Sequence, residues 1–243
     1  MAGGSRIDGI LSGFAKAIQL LAKGDSALYR IIVLSLKVSG TALVISTLVG
    51  IPLGVLLGLS RFHGRKLVVA LLYTGMGFPP VVVGLFVYML LSRSGALGRL
   101  GWPIIPTLFT PGAMVLAQSV ISFPLVAGFT MAAVMGVDPG LRMQLSALGA
   151  TNWQAAWTVL AEARVGVIVS IIAGFGSIIS EVGAVMMVGG NIENSTRVLT
   201  TAIVLETNKG QFSLAIALGV VLLALSFFAN VAMLRLQGRT LDE

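Results

Sequence analysis

The sequence contains no cysteine and only one histidine, His63, among its 243 residues. Disulfides, thiolate metal sites and cysteine nucleophiles are therefore excluded. Charge is scarce as well, because 16 Lys or Arg and 9 Asp or Glu make up 10% of the chain, whereas a soluble domain carries about 25%. So few acids leave little material for catalysis, and we expect no catalytic residue, no metal ligand and no cofactor bound by this chain.

Apolar residues are abundant instead. They make up 56% of the chain, and the mean hydropathy is +0.99. A water-soluble domain of this size could not bury that much apolar surface, which excludes a soluble enzyme and a disordered protein. The net charge of +7 does not indicate a nucleic-acid partner, because cations this sparse are typical of membrane edges.

Five apolar stretches are long enough to cross a bilayer, for which about 20 residues suffice. They cover residues 31–59, 67–91, 112–135, 165–190 and 212–234. We therefore predict an all-α polytopic membrane protein with five transmembrane helices. Residues 7–22 form a further amphipathic pattern, which we interpret as an interfacial helix in an N-terminal segment, with a sixth span as the alternative.

The orientation prediction depends on one short loop. Arg61, Arg65 and Lys66 lie within six residues of each other between the first two spans. Short loops that are rich in Lys and Arg remain on the cytoplasmic side. With five spans, this places the N-terminus outside and the C-terminus inside.

A polar connection of about 30 residues, 136–164, separates the third and fourth spans. Its pattern predicts a helix, a break at Gly149 and a second helix on which Trp153, Trp157 and Leu160 form one apolar stripe. One interpretation is a helix that lies on the bilayer surface. The other is a stripe that docks into a groove of a partner protein, which the scarcity of cations in this segment favours.

The motif in this connection resembles the cytoplasmic coupling loop of ABC importer permeases, the binding-protein-dependent transport inner membrane components. The resemblance lies in residues 148–155, Leu-Gly-Ala-Thr-Asn-Trp-Gln-Ala. Two positions depart from the family pattern, since Met143 stands where the family has Glu and Glu162 where it has Pro. Residues 78–84, 117–124, 180–192 and 196–203 resemble oxyanion permeases, and the last two segments are most similar to the tungstate branch.

The resemblance implies a MetI-like (type I) permease fold and the role of a transporter subunit in a prokaryotic cytoplasmic membrane. Its implied partners are a second copy of the chain, two cytoplasmic ATPase subunits that hold ATP and Mg, and an external oxyanion-binding protein. The implied substrate is tungstate, with molybdate as the alternative. The implied domains are an external segment 1–30, a transmembrane domain 31–237 with the coupling loop 136–164, and a cytoplasmic tail 238–243. The implied ATPase-coupling residues are Leu148, Gly149, Ala150, Thr151, Trp153, Trp157 and Leu160.

The only acid within a predicted span is Glu181, and such residues face a bundle interior or a watery cavity. Glu181 lies on a small, polar helix face that begins at Gly166. This face either lines a translocation path, with Glu181 as a gate, or packs against another helix with one paired acid. The predicted path or gate residues are Glu181, Ser177, Ser180, Ser122, Pro79 and Pro80.

Three further features refine the membrane prediction. Lys37 either extends to the outer interface or attracts anions near the mouth of the path. Gly50, Gly54 and Gly58 recur every four residues, which predicts close approach of another helix. The Pro79-Pro80 pair predicts an interruption of the second span.

Two other classes of protein remain as alternatives. A stand-alone channel or secondary transporter would need no ATPase, but a lone intramembrane acid argues against ion coupling. A non-transporting membrane scaffold would not need the ordered motifs described above. The chain has no Gly-Lys-Ser or Gly-Lys-Thr phosphate loop, so any ATP must be hydrolysed by a separate subunit.

Overall fold

A computed structural model describes residues 13, 15–20, 22 and 24–238, with side chains as far as residue 235. This part of the chain is 78% helical and contains no strand, which confirms the all-α prediction. Within these described residues, three helices are long and apolar enough to cross a membrane, and two bent helix pairs raise the number of candidate spans to five. The long helices are α1 (Ser26–Leu59), α4 (Pro111–Met135) and α10 (Phe212–Gly238).

The shorter helices connect these three. They are α2 (Arg65–Met76), α3 (Pro80–Leu91), α5 (Pro139–Ala147), α6 (Asn152–Glu162), α7 (Arg164–Ile179), α8 (Gly183–Gly189) and α9 (Leu199–Asn208). The long connection before α4 is irregular apart from one 3₁₀ turn, Gly98–Leu100, as its glycines and prolines predict.

Three of the predicted spans are single helices in the structure and two are interrupted, the second span at the place where the Pro79-Pro80 pair predicts it. The first, third and fifth spans correspond to α1, α4 and α10. The second span is interrupted at residues 77–79, where Pro80 begins a new helix and disfavours helical backbone at the residue before it. The fourth span, predicted over residues 165–190, is interrupted as well, because α7 ends at Ile179 and α8 begins at Gly183.

Close packing divides the chain into two units. The first consists of the residues up to Gly40, Pro80–Gln118 and Ile179–Val231, and the second of Thr41–Pro79, Ser119–Ile178 and the residues from Ala232 onward. In the first unit, buried apolar side chains of α1, α9 and α10 form a core that consists of Leu28, Leu199, Ala202, Leu218 and Val221.

Glycines allow close helix packing in the second unit. A β-carbon at Gly54 would lie 2.6 Å from the carbonyl oxygen of Ala127, and one at Gly58 would lie 2.7 Å from the Val134 side chain. Only a residue without a β-carbon permits this approach of α1 and α4. The packing role predicted for the glycines of α1 is therefore confirmed.

The N-terminal amphipathic prediction is only partly described. Residues 15–20 are helical. Ala17 is buried, and Leu20 packs against the core that contains Leu28. Residues 7–12, 14 and 21 of the predicted helix lie outside the described residues, as do residues 239–243 of the predicted tail.

Candidate functional site

The predicted coupling segment begins with a capped helix. The Asp138 carboxylate accepts a hydrogen bond from the Gly140 N–H at 2.9 Å, and Pro139 occupies the first turn. This is a favourable helix start, because aspartate satisfies an otherwise unpaired N–H and proline has none to satisfy. Arg142 then donates to the Val134 carbonyl at 2.8 Å, which attaches α5 to the end of α4.

Gly149 ends α5 in a left-handed conformation, with φ of 76°. The Ala150 N–H donates to the Leu145 carbonyl at 3.0 Å, and the Gly149 N–H donates to the Ser146 carbonyl at 3.1 Å. These two bonds define a Schellman motif, in which glycine is favoured because it has no β-carbon. The predicted helix break at Gly149 is therefore present in the structure.

The second helix of the segment starts with a reciprocal capping box. The Gln154 N–H donates to the Thr151 hydroxyl at 3.3 Å, and the Thr151 N–H donates to the Gln154 side-chain oxygen at 2.8 Å. Both bonds join residues three positions apart, so the sequence specifies this helix start locally. The bend between α6 and α7 that follows is 70°.

The segment presents large apolar side chains on its surface. The exposed fractions are 83% for Leu148, 76% for Trp153 and 64% for Trp157. Leu160, which shares the predicted stripe, instead packs against the cluster around the fully buried Val159. The predicted stripe therefore divides: Trp153 and Trp157 are exposed, whereas Leu160 packs within the second unit. Leu148, which lies outside the stripe, adds a third exposed apolar side chain to the two tryptophans. We call these three exposed side chains the coupling patch.

The second helix break, at residues 180–182, is built differently. Glu181 is only 8% exposed, and its carboxylate accepts a hydrogen bond from the Ala184 N–H at 2.9 Å. The Thr200 hydroxyl donates to the Glu181 carbonyl at 2.9 Å, and the Leu199 N–H donates to the Ser35 hydroxyl at 2.9 Å. Glu181 thus satisfies an unpaired N–H at the start of α8, while the start of α9 holds the break from the other side.

Tight backbone contact also holds this break. A β-carbon at Gly84 on α3 would lie 2.5 Å from the α-carbon of Ala184. The β-carbon position of Gly183 is similarly filled by the Val81 side chain, at 2.5 Å. The short helix α8 therefore lies directly against α3.

The residues predicted to line a path or gate are distributed over both units. Pro79, Ser122 and Ser177 belong to the second unit, whereas Pro80, Ser180 and Glu181 belong to the first. Their exposure also differs. Pro79 and Ser180 are exposed, Pro80 and Ser177 are half-buried, and Ser122 and Glu181 are buried.

Two of the predicted path features are engaged in helix packing. The Ser122 hydroxyl lies 2.5 Å from the Ser46 hydroxyl. On α7, the Ser170 hydroxyl lies 3.0 Å from that of Thr130, and β-carbons at Gly166 and Gly174 would meet Ala133 and Val126 of α4. The first three turns of the small α7 face therefore pack on α4.

Helix α9 was not predicted, because it lies between the fourth and fifth apolar stretches. Leu199, Ala202, Ile203 and Glu206 recur at helical spacing, and this signal could have identified the helix. The tertiary contacts of Thr200 and Ser35 have no comparable signal, because 164 positions separate Ser35 from its partner Leu199.

Acidic side chains are also found beside the coupling segment. Asp138 and Glu162 line a pocket of about 560 Å³ in the second unit. Among the residues that the structure describes, no group of three or more His, Cys, Asp or Glu could hold a metal ion.

Comparison with known proteins identifies the family. Residues 50–242 match the family described as "binding-protein-dependent transport system inner membrane component". The chain belongs to this family. Its members are transport permeases of the inner membrane, so this permease chain is a multi-pass membrane subunit of a transporter.

Two similar proteins match this permease over nearly its full length. A probable anion ABC transporter permease protein of Haloferax volcanii is 42% identical, over 91% of this chain and 97% of the relative. The tungstate uptake system permease protein TupB of Peptoclostridium acidaminophilum is 40% identical, over 94% of this chain and 98% of the relative.

A solved structure supports the fold. A bacterial ABC transporter involved in the import of the acidic polysaccharide alginate matches with a TM-score of 0.71 and 22% identity. The match covers 97% of this chain and 90% of the solved chain. The predicted ABC importer permease fold is therefore confirmed.

Proposed function

We propose that this chain is the membrane-spanning subunit of an ATP-driven importer of a tetrahedral oxyanion, with tungstate as the preferred substrate. The observation that carries the substrate proposal is the 40% identity to a tungstate permease over 94% of the chain. Molybdate is the second candidate, because it is also a tetrahedral dianion. A binding protein on the outer side selects the ion and delivers it to a homodimer of this chain.

The coupling patch is the proposed contact with a separate ATPase subunit, one for each copy of the permease. Large exposed apolar side chains are unusual on a polar connection, and tryptophans are prominent among the side chains that dominate binding energy at interfaces. Leu148, Gly149, Ala150 and Thr151 form the rigid turn that presents this patch, and Leu160 anchors it. ATP and Mg bind to the ATPase, so this chain needs no nucleotide site of its own.

The coupling contact assigns an orientation to the chain. The ATPase is cytoplasmic, so the coupling loop and the C-terminus lie inside and the N-terminus lies outside. The cationic loop that contains Arg61, Arg65 and Lys66 is then cytoplasmic as well, in agreement with the positive-inside rule.

The proposed path or gate includes Glu181, Ser177, Ser180, Ser122, Pro79 and Pro80. A carboxylate repels a dianion at contact, so Glu181 acts on the shape of the path and not as an anion ligand. Its bond to the Ala184 N–H supports this assignment, because opening or closing of the break would have to change that bond.

The experiment reconstitutes the chain with its ATPase and binding protein and measures ATP-driven tungstate uptake and ATP hydrolysis. We expect the double variant W153A/W157A to lose ATPase co-purification and at least tenfold in uptake, because each buried interface tryptophan is worth about 2 kcal/mol. The matched control is W102A, since Trp102 is also exposed, at 61%, but lies outside the coupling segment.

Three results would contradict the proposal. Tungstate uptake without ATPase would favour a channel or a secondary transporter. Equal loss in W102A would remove the specific role of the coupling patch. Uptake of molybdate in preference to tungstate, with the same binding protein, would replace the proposed substrate.

A further inference from the structure

A pocket of about 410 Å³ lies in the first unit, between the N-terminal part of α1 and the loop that follows α8. Its volume is in the range that holds ligands of drug-like size. Apolar side chains of α1 form part of its wall, among them Ala27, Ile31, Val33 and Leu34. The remaining wall is strongly cationic.

Three cations and one acid line this pocket. Arg30 and Lys37 come from α1, and Arg197 and Glu193 come from the loop. Arg197 lies 3.5 Å from Glu193, and its Nε atom is buried without a hydrogen-bond partner among the described residues. Three cations and one acid give the lining a formal charge of +2, which favours an anionic ligand.

The depth of the pocket places it at a membrane surface. Helix α1 has 34 residues, about 51 Å at a rise of 1.5 Å per residue, whereas the hydrocarbon core is about 30 Å thick. Lys37 precedes Leu59, the last residue of α1, by 22 positions, or about 33 Å. If the charged turn after Leu59 lies at one surface of the bilayer, Lys37 lies at the level of the head groups on the opposite surface.

The direction of the side chains agrees with this depth. Helical side chains lean toward the N-terminus of their helix, so we expect the Lys37 side chain to extend toward the membrane surface. Arg30 lies seven residues earlier on the same face, and Val33 between them is 60% exposed. The face therefore alternates cationic and apolar groups at the boundary between lipid tails and head groups.

We propose that this pocket binds the phosphate group of an anionic phospholipid. Arg30, Lys37 and Arg197 surround the phosphate, and the apolar wall of α1 contacts the adjoining glycerol and first acyl carbons. Cationic pockets at membrane surfaces bind lipid head groups in this way. A free tetrahedral oxyanion would use the same cations but would gain nothing from the apolar wall. The proposal is independent of which substrate the transporter imports.

The test uses the full-length chain in phosphatidylcholine nanodiscs that contain a small fraction of photoactivatable phosphatidylglycerol. We expect crosslinks on peptides that contain residues 26–37 and 193–197. The variant R30Q/K37Q should lower this labelling about fivefold for each cation removed. A loss of this size is the usual contribution of one basic residue to binding at an anionic surface. The matched control, R61Q/K66Q, removes two cations from the loop at the opposite end of α1 and should leave the labelling unchanged.

Two further variants separate lipid binding from a general effect on folding. R30K/K37R retains both charges and should restore most of the labelling. E193Q removes the acid from the lining and should increase the labelling two- to fivefold.

Several outcomes would overturn the proposal. One is equal labelling of R30Q/K37Q and the wild-type chain, and another is equal loss in R61Q/K66Q. A third is calorimetric binding of inorganic phosphate or tungstate in detergent, without lipid, that disappears in R30Q/K37Q. That result would assign the pocket to a free oxyanion.

Discussion

The two helix breaks, at Gly149 and at residues 180–182, interrupt the chain by different physical means. At Gly149, all the bonds that end one helix and start the next join residues no more than five positions apart. At the second break, Thr200 reaches the Glu181 carbonyl from 19 positions away. Ser35 reaches the adjoining helix start from 164 positions away.

The difference has a consequence for stability. A break held by local bonds needs only the correct residues in sequence, so it can lie exposed at the surface and carry the coupling patch. A break held by distant bonds exists only when α1, α3 and α9 are already packed around it. Variants at the second break should therefore affect the whole fold, and variants at the first should affect coupling while the fold persists.

The largest effect is expected for Gly84→Val, which tests the packing of the second break. The new β-carbon would lie 2.5 Å from the Ala184 α-carbon, so backbone must move, at a cost of about 3 kcal/mol. Thermal unfolding of the purified chain should show a strongly lowered midpoint or no folded protein. Gly40→Ala is the control, because no residue that the structure describes lies within 4 Å of its β-carbon position. An unchanged midpoint for Gly84→Val would show that α3 and α8 are not in tight contact.

An intermediate effect is expected at Glu181. Replacement by Ala removes the acceptor for the Ala184 N–H and should lower stability by about 1 to 2 kcal/mol. Glu181→Gln keeps an oxygen acceptor but loses its charge, which weakens the bond to the Ala184 N–H. Its unfolding midpoint should therefore stay closer to that of the wild-type chain than that of Glu181→Ala, while uptake falls because the break is held less firmly. The comparison of unfolding with transport separates the two roles, and normal uptake by Glu181→Gln would exclude the gate.

A loss of stability no larger than that of Glu181→Ala, and confined to one exposed turn, is expected at Gly149. None of the described atoms lies within 4 Å of its β-carbon position, so Gly149→Val costs only the strain of a left-handed backbone, about 1 to 2 kcal/mol. Because that strain acts on the turn that presents the coupling patch, we expect ATP hydrolysis to continue with reduced uptake. Gly149→Asn should retain coupling, since asparagine tolerates this conformation. Equal coupling in both variants would mean that the turn geometry does not transmit the motion.

The coupling segment shows how much the sequence alone could predict. Gly149, Trp153 and Trp157 were predicted as a helix break followed by an apolar stripe, and the structure contains both. Leu160 has the same spacing yet packs inward, because the pattern of one helix does not show which part of its apolar face meets a neighbour. The roles of these residues in ATPase coupling remain predictions.

The membrane segments were predictable for a related reason. A run of about 20 apolar residues has few stable alternatives to a spanning helix, because lipid offers no partner for unpaired backbone groups. The fourth apolar run does not form one uninterrupted helix. Residues 165–190 are apolar throughout, yet α7 ends within them, because neighbouring elements supply the hydrogen bonds that its broken backbone needs.

The sequence by itself therefore determined the membrane class, the family and the exposed turn at Gly149, because these depend on composition, on motifs in the sequence and on bonds between near neighbours. Tertiary structure alone decided the place of the second break, the capping role of Glu181 and the inward packing of Ser122. It also brought the cations of α1 and of the loop after α8 to one pocket. These features depend on groups that are far apart in the chain and meet only after the helices have packed.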